Sequence, residues 1–224
     1  MPASGLSFSI YPTGGDLQLY LESLGLTVPA ALKLRLQALQ YAAVQEFEKQ
    51  CDRIFLAPTA TAVRYFDPPT NVPHGSSNYL RVPDLYSITS IVYTPTGGTA
   101  TTLVVNDDYM GYPHNAVALG RAFTAVEIFG WRWMSSLAPS YRRSIAITGR
   151  WGYGTTLPPD VREAMLALGA LKAWNAATFG VTGGLGSWSE GDVKEDYGKG
   201  WDSASDAWKA QVAQAVANYR RFGL

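Results

Sequence analysis

The chain has 224 residues and a mass of 24.3 kDa, enough for one large or two small domains without disulfide or metal staples. Hydrophobic residues make up 47% and charged residues 16% of the sequence, which excludes a disordered chain. The 18 basic and 18 acidic residues cancel, which argues against a general polyanion-binding protein. A single cysteine, Cys51, and two histidines, His74 and His114, exclude an intrachain disulfide and a Cys- or His-rich metal site. We therefore expect no metal and no cofactor.

The N-terminal third of the chain is predicted to be an arm followed by two helices. Residues 1–12 show no periodicity and are expected to form a flexible arm, without the pattern of a signal peptide. Asp16 is predicted to cap a short helix over residues 17–24. Thr27 is predicted to begin a longer helix that reaches Phe55. Its apolar residues recur every three or four positions, as in a helix with one buried face: Leu32, Leu36, Leu39, Ala43, Phe47, Cys51 and Ile54.

The middle of the chain has the composition of a β domain. Short alternating or β-branched runs recur between turn residues, and no apolar run approaches the length of a membrane span. Pro83 and Asp84 are predicted to end one strand and turn the chain, because proline cannot donate to a strand ladder. The spacing predicts an antiparallel sandwich or barrel-like domain over residues 59–153. The predicted strands are residues 59–66, 79–82, 86–93, 101–105, 109–112, 122–129 and 144–151.

Two further helices are predicted in the last third of the chain. The first covers residues 158–178, and a Gly-, Ser- and acid-rich loop over residues 181–202 separates it from the second, residues 203–222. Each predicted helix has an apolar face that has no partner inside its own segment. We therefore expect an α+β fold in which a discontinuous helical domain, residues 13–58 plus 154–224, carries residues 59–153 as an inserted antiparallel β domain.

The sequence lacks the motifs of known catalytic sites. The glycines of residues 180–186 follow a helix rather than a strand, and no lysine closes them into a phosphate-binding loop. Asp107, Asp108 and Glu127 could form a carboxylate pair or a weak cation site, but an Asn-Asp-Asp turn explains the first two equally well. No nucleophile stands beside a base, so we do not expect an enzyme.

Two segments are candidates for binding a partner. In the first segment, arginines alternate with aromatic residues. Because the chain has no net charge, this pattern favours contact with another protein. Contact with a nucleic acid remains an open alternative. The second is the apolar face of the last helix with its terminal arginines. That face either binds a partner's groove or packs on Leu36 and Leu168 of its own chain. The candidate residues are Arg132, Trp133, Arg142, Arg143, Trp208, Val212, Tyr219, Arg220, Arg221 and Phe222.

An ordered set of short motifs resembles the head–tail connector (adaptor) proteins of tailed bacteriophages and related prophages. The resemblance covers about residues 27–180. It does not extend to three segments: the N-terminal arm, residues 129–141 and the acidic loop after Gly180. No single motif is specific, but their order and intervals are. The motifs are residues 51–55 (CDRIF), 64–67 (RYFD), 80–91 (LRVPDLYSITSI), 103–113 (LVVNDDYMGYP), 145–154 (IAITGRWGYG) and 157–161 (LPPDV).

The resemblance implies a structural virion protein, made in the cytoplasm of a bacterial host and located in the virion neck. It implies a ring of about twelve copies beneath the portal. The implied partners are other copies, the portal protein, the next neck or tail component and genomic DNA that passes without sequence-specific contact. Two other classes remain open from the residues alone: a tail-associated protein directed at carbohydrate or peptidoglycan, and a nucleic-acid-binding module.

Overall fold

A computed structural model describes residues 10–26, 28, 30–67, 79–94, 98–129, 143–181, 187–190, 193–196 and 199–221. These residues form helices, a six-stranded antiparallel sheet and a separate two-stranded hairpin, so the predicted α+β class is confirmed. The chain divides into two compact units. Residues 53–155 form the main part of the β unit, and the segments up to Asp52 and from Thr156 to Phe222 form the helical unit. No helix in the described part of the chain is both long and apolar enough to cross a membrane.

The helical unit is built around the predicted apolar face of its third helix. Leu36, Ala43, Phe47 and Cys51 are at most 2% exposed, so Cys51 is a packed thiol as its position in the stripe predicts. The third helix packs on the fourth, and the fourth packs on the fifth. The helices of this unit are α1 (Gly14–Ser23), α2 (Ala30–Lys33), α3 (Leu36–Cys51), α4 (Pro159–Val181) and α5 (Lys199–Tyr219).

Helix α1 begins three residues earlier than the sequence predicts. Thr13, not Asp16, is its N-cap: the Thr13 hydroxyl accepts the Asp16 N–H, and the Asp16 carboxylate accepts the Thr13 N–H at 2.7 Å. Asp16 also accepts from Arg162 of α4 at 2.8 Å. Partial burial alone would raise the pKa of Asp16. The hydrogen bonds from Thr13 and the charge of Arg162 outweigh it and hold the pKa below its usual value.

The long second helix of the sequence prediction is two helices. α2 and α3 are separated at Leu34 and Arg35, and Leu34 is 89% exposed. The sequence also predicts a polar face opposite this stripe, with Lys33, Gln37, Gln40 and Glu48. That prediction is wrong at Gln40, which is fully buried and donates to the Met165 carbonyl at 3.2 Å. Periodicity within one helix does not reveal that α4 covers this side. Ile54, assigned to the same stripe, lies beyond the helix end and is 48% exposed.

The β unit is one antiparallel sheet with strand order β1-β6-β2-β5-β4, with β3 also paired to β2. Its core consists of side chains from β2, β4, β5 and β6, with Val82, Ile91, Ile145 and Ile147 fully buried. All of these strands lie within or overlap the predicted ones. They are β1 (Ala62–Phe66), β2 (Tyr79–Tyr93), β3 (Thr101–Thr102), β4 (Tyr109–Tyr112), β5 (Phe123–Ile128) and β6 (Ile145–Trp151).

The predicted turn at Pro83 and Asp84 is wrong, because β2 continues through both residues for 15 residues in total. The pairing of β2 with β5 shifts register between Arg81 and Leu85, and its pairing with β6 shifts between Leu85 and Ser87. A bulge leaves residues unpaired, so a proline there removes no ladder hydrogen bond. Sequence reasoning treated proline as a strand terminator and overlooked this option.

The predicted acidic loop over residues 181–202 contains regular structure. Strands β7 (Ser187–Glu190) and β8 (Val193–Asp196) form an antiparallel hairpin in which Trp188 is opposite Glu195. Helix α5 then begins at Lys199, one turn before the predicted start. The sequence does not predict this hairpin, because its strands are rich in serine and acidic residues rather than in the β-branched residues that favour strands.

Candidate assembly surfaces

The carboxylates that could have formed a site are used locally. The Asp108 carboxylate accepts the Val104 N–H at 2.8 Å and so closes a turn, as the sequence allows. Glu127 lies on β5, where its carboxylate is 3.3 Å from Nε2 of His114. Among the described residues, no group of three or more His, Cys, Asp or Glu side chains is placed to hold a metal ion.

The apolar face of the last helix is buried in its own chain. Trp208 and Val212 are 3% and 7% exposed, where α5 packs on α4 and α3. The Tyr20 hydroxyl of α1 and the Trp208 side chain form a hydrogen bond. The Tyr219 hydroxyl donates to Asp160 of α4 at 3.0 Å. Of the two interpretations that the sequence left open for this stripe, these contacts favour packing on the own chain.

The C-terminal arginines lie beside an open groove between α3 and α5. Arg221 is tied down, since its backbone N–H donates to the Cys51 carbonyl at 2.9 Å, whereas Arg220 is exposed. Phe222 lies outside the described residues. The groove has a volume of about 970 Å³, and Val216 is its apolar part. Its other lining residues are Gln45, Glu46, Lys49, Gln50 and Arg220.

Of the predicted arginine–aromatic segment, Arg132, Trp133 and Arg142 lie outside the described residues. Arg143 is exposed with a positive φ of 56°, and its backbone N–H donates to the Asp67 carboxylate next to the end of β1. Arg143 lies on the surface, and its role as a partner contact stays a prediction.

A buried ion pair joins two of the sequence motifs inside the β unit. Nη1 of Arg53 lies 3.0 and 3.1 Å from the two carboxylate oxygens of Asp84. Their side chains are only 15% and 4% exposed, and the Arg53 guanidinium stacks on the Tyr153 ring at 5.3 Å. Sequence reasoning noted both motifs but missed this pair. The signal that could have found it is an arginine and an aspartate that each stand among apolar residues.

The two ends of the β unit are hydrogen bonded to each other. Backbone N–H groups of Tyr153 and Gly154 donate to the carbonyls of Ile54 and Phe55 at 2.8 and 3.0 Å, and Ala57 donates back to Gly154 at 2.8 Å. The segments therefore run side by side where the inserted part of the chain starts and finishes. Ile54 and Phe55 belong to the first motif, and Tyr153 and Gly154 belong to the fifth, which is distant in sequence.

Trp151 fixes the first strand of the sheet to the last. Its indole N–H donates to the Ala62 carbonyl at 2.8 Å. The Arg64 guanidinium lies 4.5 Å from the Trp151 ring centroid, and the Phe66 ring lies 5.8 Å from it. Arg64 and Phe66 thus cover Trp151 from β1. The motif residues Arg64, Phe66 and Trp151 thus pack together inside this unit.

Seven solved chains are similar to this one. A chain from the virion of the native gene transfer agent particle has a TM-score of 0.52 and 14% identity, covering 99% of this chain and 95% of its own. The two chains share a fold. A second chain, from the neck of the empty gene transfer agent particle computed with C6 symmetry, has 14% identity and a TM-score of 0.49 and covers 99% of this chain and 95% of its own. A third, from the neck of the native particle computed with C12 symmetry, has 14% identity and a TM-score of 0.44 and covers 94% of this chain and 92% of its own. No protein-family model and no curated protein matches the chain.

Several large apolar side chains of this chain are exposed to solvent. On the helical unit these are Leu19, Leu34 and Tyr41, at 66%, 89% and 64% exposure. On the β unit, Val63 and Tyr65 of β1 are 48% and 61% exposed, and β1 is an edge of the described sheet. An exposed apolar edge strand is a template for further pairing unless something covers it.

Gly152 should tolerate no side chain. Its φ is 152°, and a methyl group at this position would lie 2.6 Å from the N and Cα atoms of Ala57. We expect Gly152→Ala to reduce the free energy of unfolding by about 2–4 kcal/mol, from overpacking against backbone and from the strained φ. Denaturant unfolding measures this loss.

The matched control is Gly15→Ala in α1. A methyl group there comes no closer than 3.6 Å to a neighbour, and Gly15 is helical. The control should leave the free energy of unfolding unchanged or raise it by roughly 0.5–1 kcal/mol. Equal effects of the two substitutions would contradict the close approach of residues 57 and 152.

Proposed function

We propose that this chain is a structural subunit of the neck of a tailed-phage-like particle, a head-to-tail adaptor. The observation that carries the proposal is the likeness of nearly the whole chain, helical and β parts together, to a chain of a phage-like virion. The ordered motifs of the connector family support it independently. Their residues form the buried ion pair and the paired ends of the β unit, so they are the positions that such a fold constrains.

In this proposal the chain acts by assembly and not by catalysis. Copies form a ring of about twelve beneath the portal, enclose the path of the DNA and offer a docking surface to the next component. A zero net charge removes long-range repulsion between copies. Exposed apolar side chains such as Leu34 and Tyr65 supply surface for contacts between neighbours. The particle would be assembled in the cytoplasm of a bacterial host.

The proposed division of labour follows the two units. The helical domain, residues 13–58 plus 154–224, and the inserted β domain, residues 59–153, would contact different neighbours, and residues 1–12 would act as an arm. Of the predicted partner-binding residues, Arg143 and Arg220 are exposed. Arg132, Trp133, Arg142 and Phe222 are kept as proposed contacts, whereas Trp208 and Val212 already have partners inside the chain.

Deletion of the gene tests the proposal. We expect the host to accumulate heads that lack attached tails, because the joint between the two structures is missing. Electron microscopy of lysates and DNA protection from nuclease measure the defect. A plasmid copy of the wild-type gene should restore joined particles, and a copy with Lys209→Ala, an exposed change on α5, should restore them equally. Normal numbers of joined, DNA-filled particles in the deletion would refute the neck assignment.

A further inference from the structure

The groove between α3 and α5 is lined by more positive than negative charge. Lys49 and Arg220 are both exposed to solvent in it, and Val216 contributes an apolar side chain. Among the described lining residues Glu46 is the only acidic one, and its Oε2 lies 2.6 Å from Nζ of Lys172 on α4. The groove therefore offers a net positive charge and an apolar side chain, which suit a partner surface that is both acidic and apolar.

The outward side of α1 has the complementary character. Leu19 is 66% exposed, and Glu22, one turn later on the same side of the helix, is exposed as well. Ile10 and Leu24, which flank this helix, are 53% and 49% exposed. Residues 10–26, here called the α1 segment, contain two acidic residues and no basic residue. The α1 segment therefore presents exposed aliphatic side chains beside a negative charge.

The α1 segment and the groove lie on opposite sides of α3. The Tyr11 hydroxyl donates to the Glu48 carboxylate, and the first N–H of α1 donates to Oε1 of Gln37 at 2.8 Å. Because each residue of a helix is rotated by about 100° from the one before, Gln37 and Glu48 share one side of α3. The same rotation places Glu46 and Gln50, which line the groove, on the opposite side. The groove of one chain is thus turned away from its own α1 segment.

We propose that the groove between α3 and α5 binds the α1 segment of a second copy of this chain. Glu22 of one copy would pair with Lys49 and Arg220 of the next. Leu19 would cover Val216. Because the two surfaces lie on opposite sides of α3, the contact is head to tail and can propagate from copy to copy until a ring closes. The inference rests on the proposed function, in which copies stand side by side in a ring.

Cross-linking of mixed isotopic copies tests whether the contact forms between chains. Full-length protein with natural nitrogen is mixed with ¹⁵N-labelled protein at the highest soluble concentration and treated with a carbodiimide, which joins amines to carboxylates in direct contact. We expect a peptide that links Lys49 to Glu22 and that combines one light and one heavy chain. A link between these two residues only within one isotope, or the absence of the link, would overturn the proposal.

Charge reversal tests whether the named charges carry the contact. Glu22→Lys and Lys49→Glu should each weaken self-association, measured by sedimentation equilibrium at low salt, by about tenfold or more. The double variant Glu22→Lys/Lys49→Glu should recover most of it, because the pair is then reversed. The controls Asp107→Lys and Lys33→Glu make the same charge changes at exposed positions outside the groove and the α1 segment. Equal weakening by the controls, no recovery in the double variant, or a wild-type protein that does not self-associate would contradict the pairing.

The apolar part of the contact is tested at Leu19. Leu19→Ser should weaken self-association by about tenfold, because the serine no longer buries an aliphatic side chain in the groove. The unfolding temperature should stay unchanged, because Leu19 is exposed in its own chain. The control Val117→Ser, at a position of the β unit that is 69% exposed, should alter neither quantity. Self-association that is the same in Leu19→Ser as in the control would count against the contact.

The same variants separate this inference from the proposed function. If Glu22→Lys assembles into joined particles as well as wild type does, the contact between the α1 segment and the groove is wrong while the neck assignment stands. If mixed-isotope links form but deletion of the gene leaves particles intact, the contact between copies stands and the neck assignment fails.

Discussion

Replacing Arg53 should destabilise the β unit more than any other charge change in it. Arg53→Met leaves the Asp84 carboxylate, which is 4% exposed, without its cation. Breaking a buried pair from one side costs about 3–5 kcal/mol, because the remaining charge is neither solvated nor paired. We expect a loss of this size in the free energy of unfolding from urea titrations followed by tryptophan fluorescence. The double variant Arg53→Met/Asp84→Asn should recover part of it, because no buried charge remains.

An exposed arginine on the same strand as Asp84 is the control for this experiment. Arg81 of β2 lies on the surface, and Arg81→Met should change the free energy of unfolding by no more than about 0.5 kcal/mol. If Arg53→Met costs less than about 1 kcal/mol, or if the double variant is no more stable than the single one, Asp84 is not held as a buried, paired charge.

The second large effect is expected at Trp208. Its side chain is 3% exposed and its indole is hydrogen bonded to Tyr20, so it joins α5 to α1 as well as to the neighbouring helices. Truncation of a buried aromatic side chain costs about 3–5 kcal/mol, and we expect Trp208→Ala to do so. Lys209→Ala, at the next position of α5 and 63% exposed, should cost less than about 0.5 kcal/mol.

Deletion of residues 203–224 extends the same test. Because Trp208, Val212 and Ala215 are buried in the helical unit, the truncated chain should lose cooperative folding of that unit and expose apolar surface. Circular dichroism and binding of a hydrophobic dye measure this. A truncated protein that melts cooperatively at the wild-type temperature would show instead that α5 is a detachable segment and would restore the interpretation of its stripe as a partner ligand.

The elements of this fold are readable from the sequence because their signals are local. The stripe from Leu36 to Cys51 predicts α3, and the alternation in residues 144–151 predicts β6, because burial on one face imposes the period. The capping box of Thr13 with Asp16 is also local, but the sequence analysis assigned Asp16 itself as the N-cap, since aspartate is a common residue at that position.

What the sequence does not reveal depends on contacts between distant residues. Gln40 is buried because α4 approaches it, and the bulges that accommodate Pro83 exist because β5 and β6 pair with β2 on its two sides. The Arg53–Asp84 pair spans 31 positions, and the groove combines α3 with residues some 170 positions later. The periodicity of one helix or strand does not predict contacts between distant residues. Candidate surfaces can therefore be identified only in the folded chain.

The most direct test of the neck assignment is electron cryomicroscopy of particles from a host that expresses the chain with a small tag. We predict density for the tagged chain as a ring at the junction of head and tail, with the helical and β units both fitting it. The assignment is supported if tagged and untagged particles both show a ring at this junction and only the tagged particles show additional density for the tag. Tag density elsewhere in the particle, or particles without the chain, would contradict it.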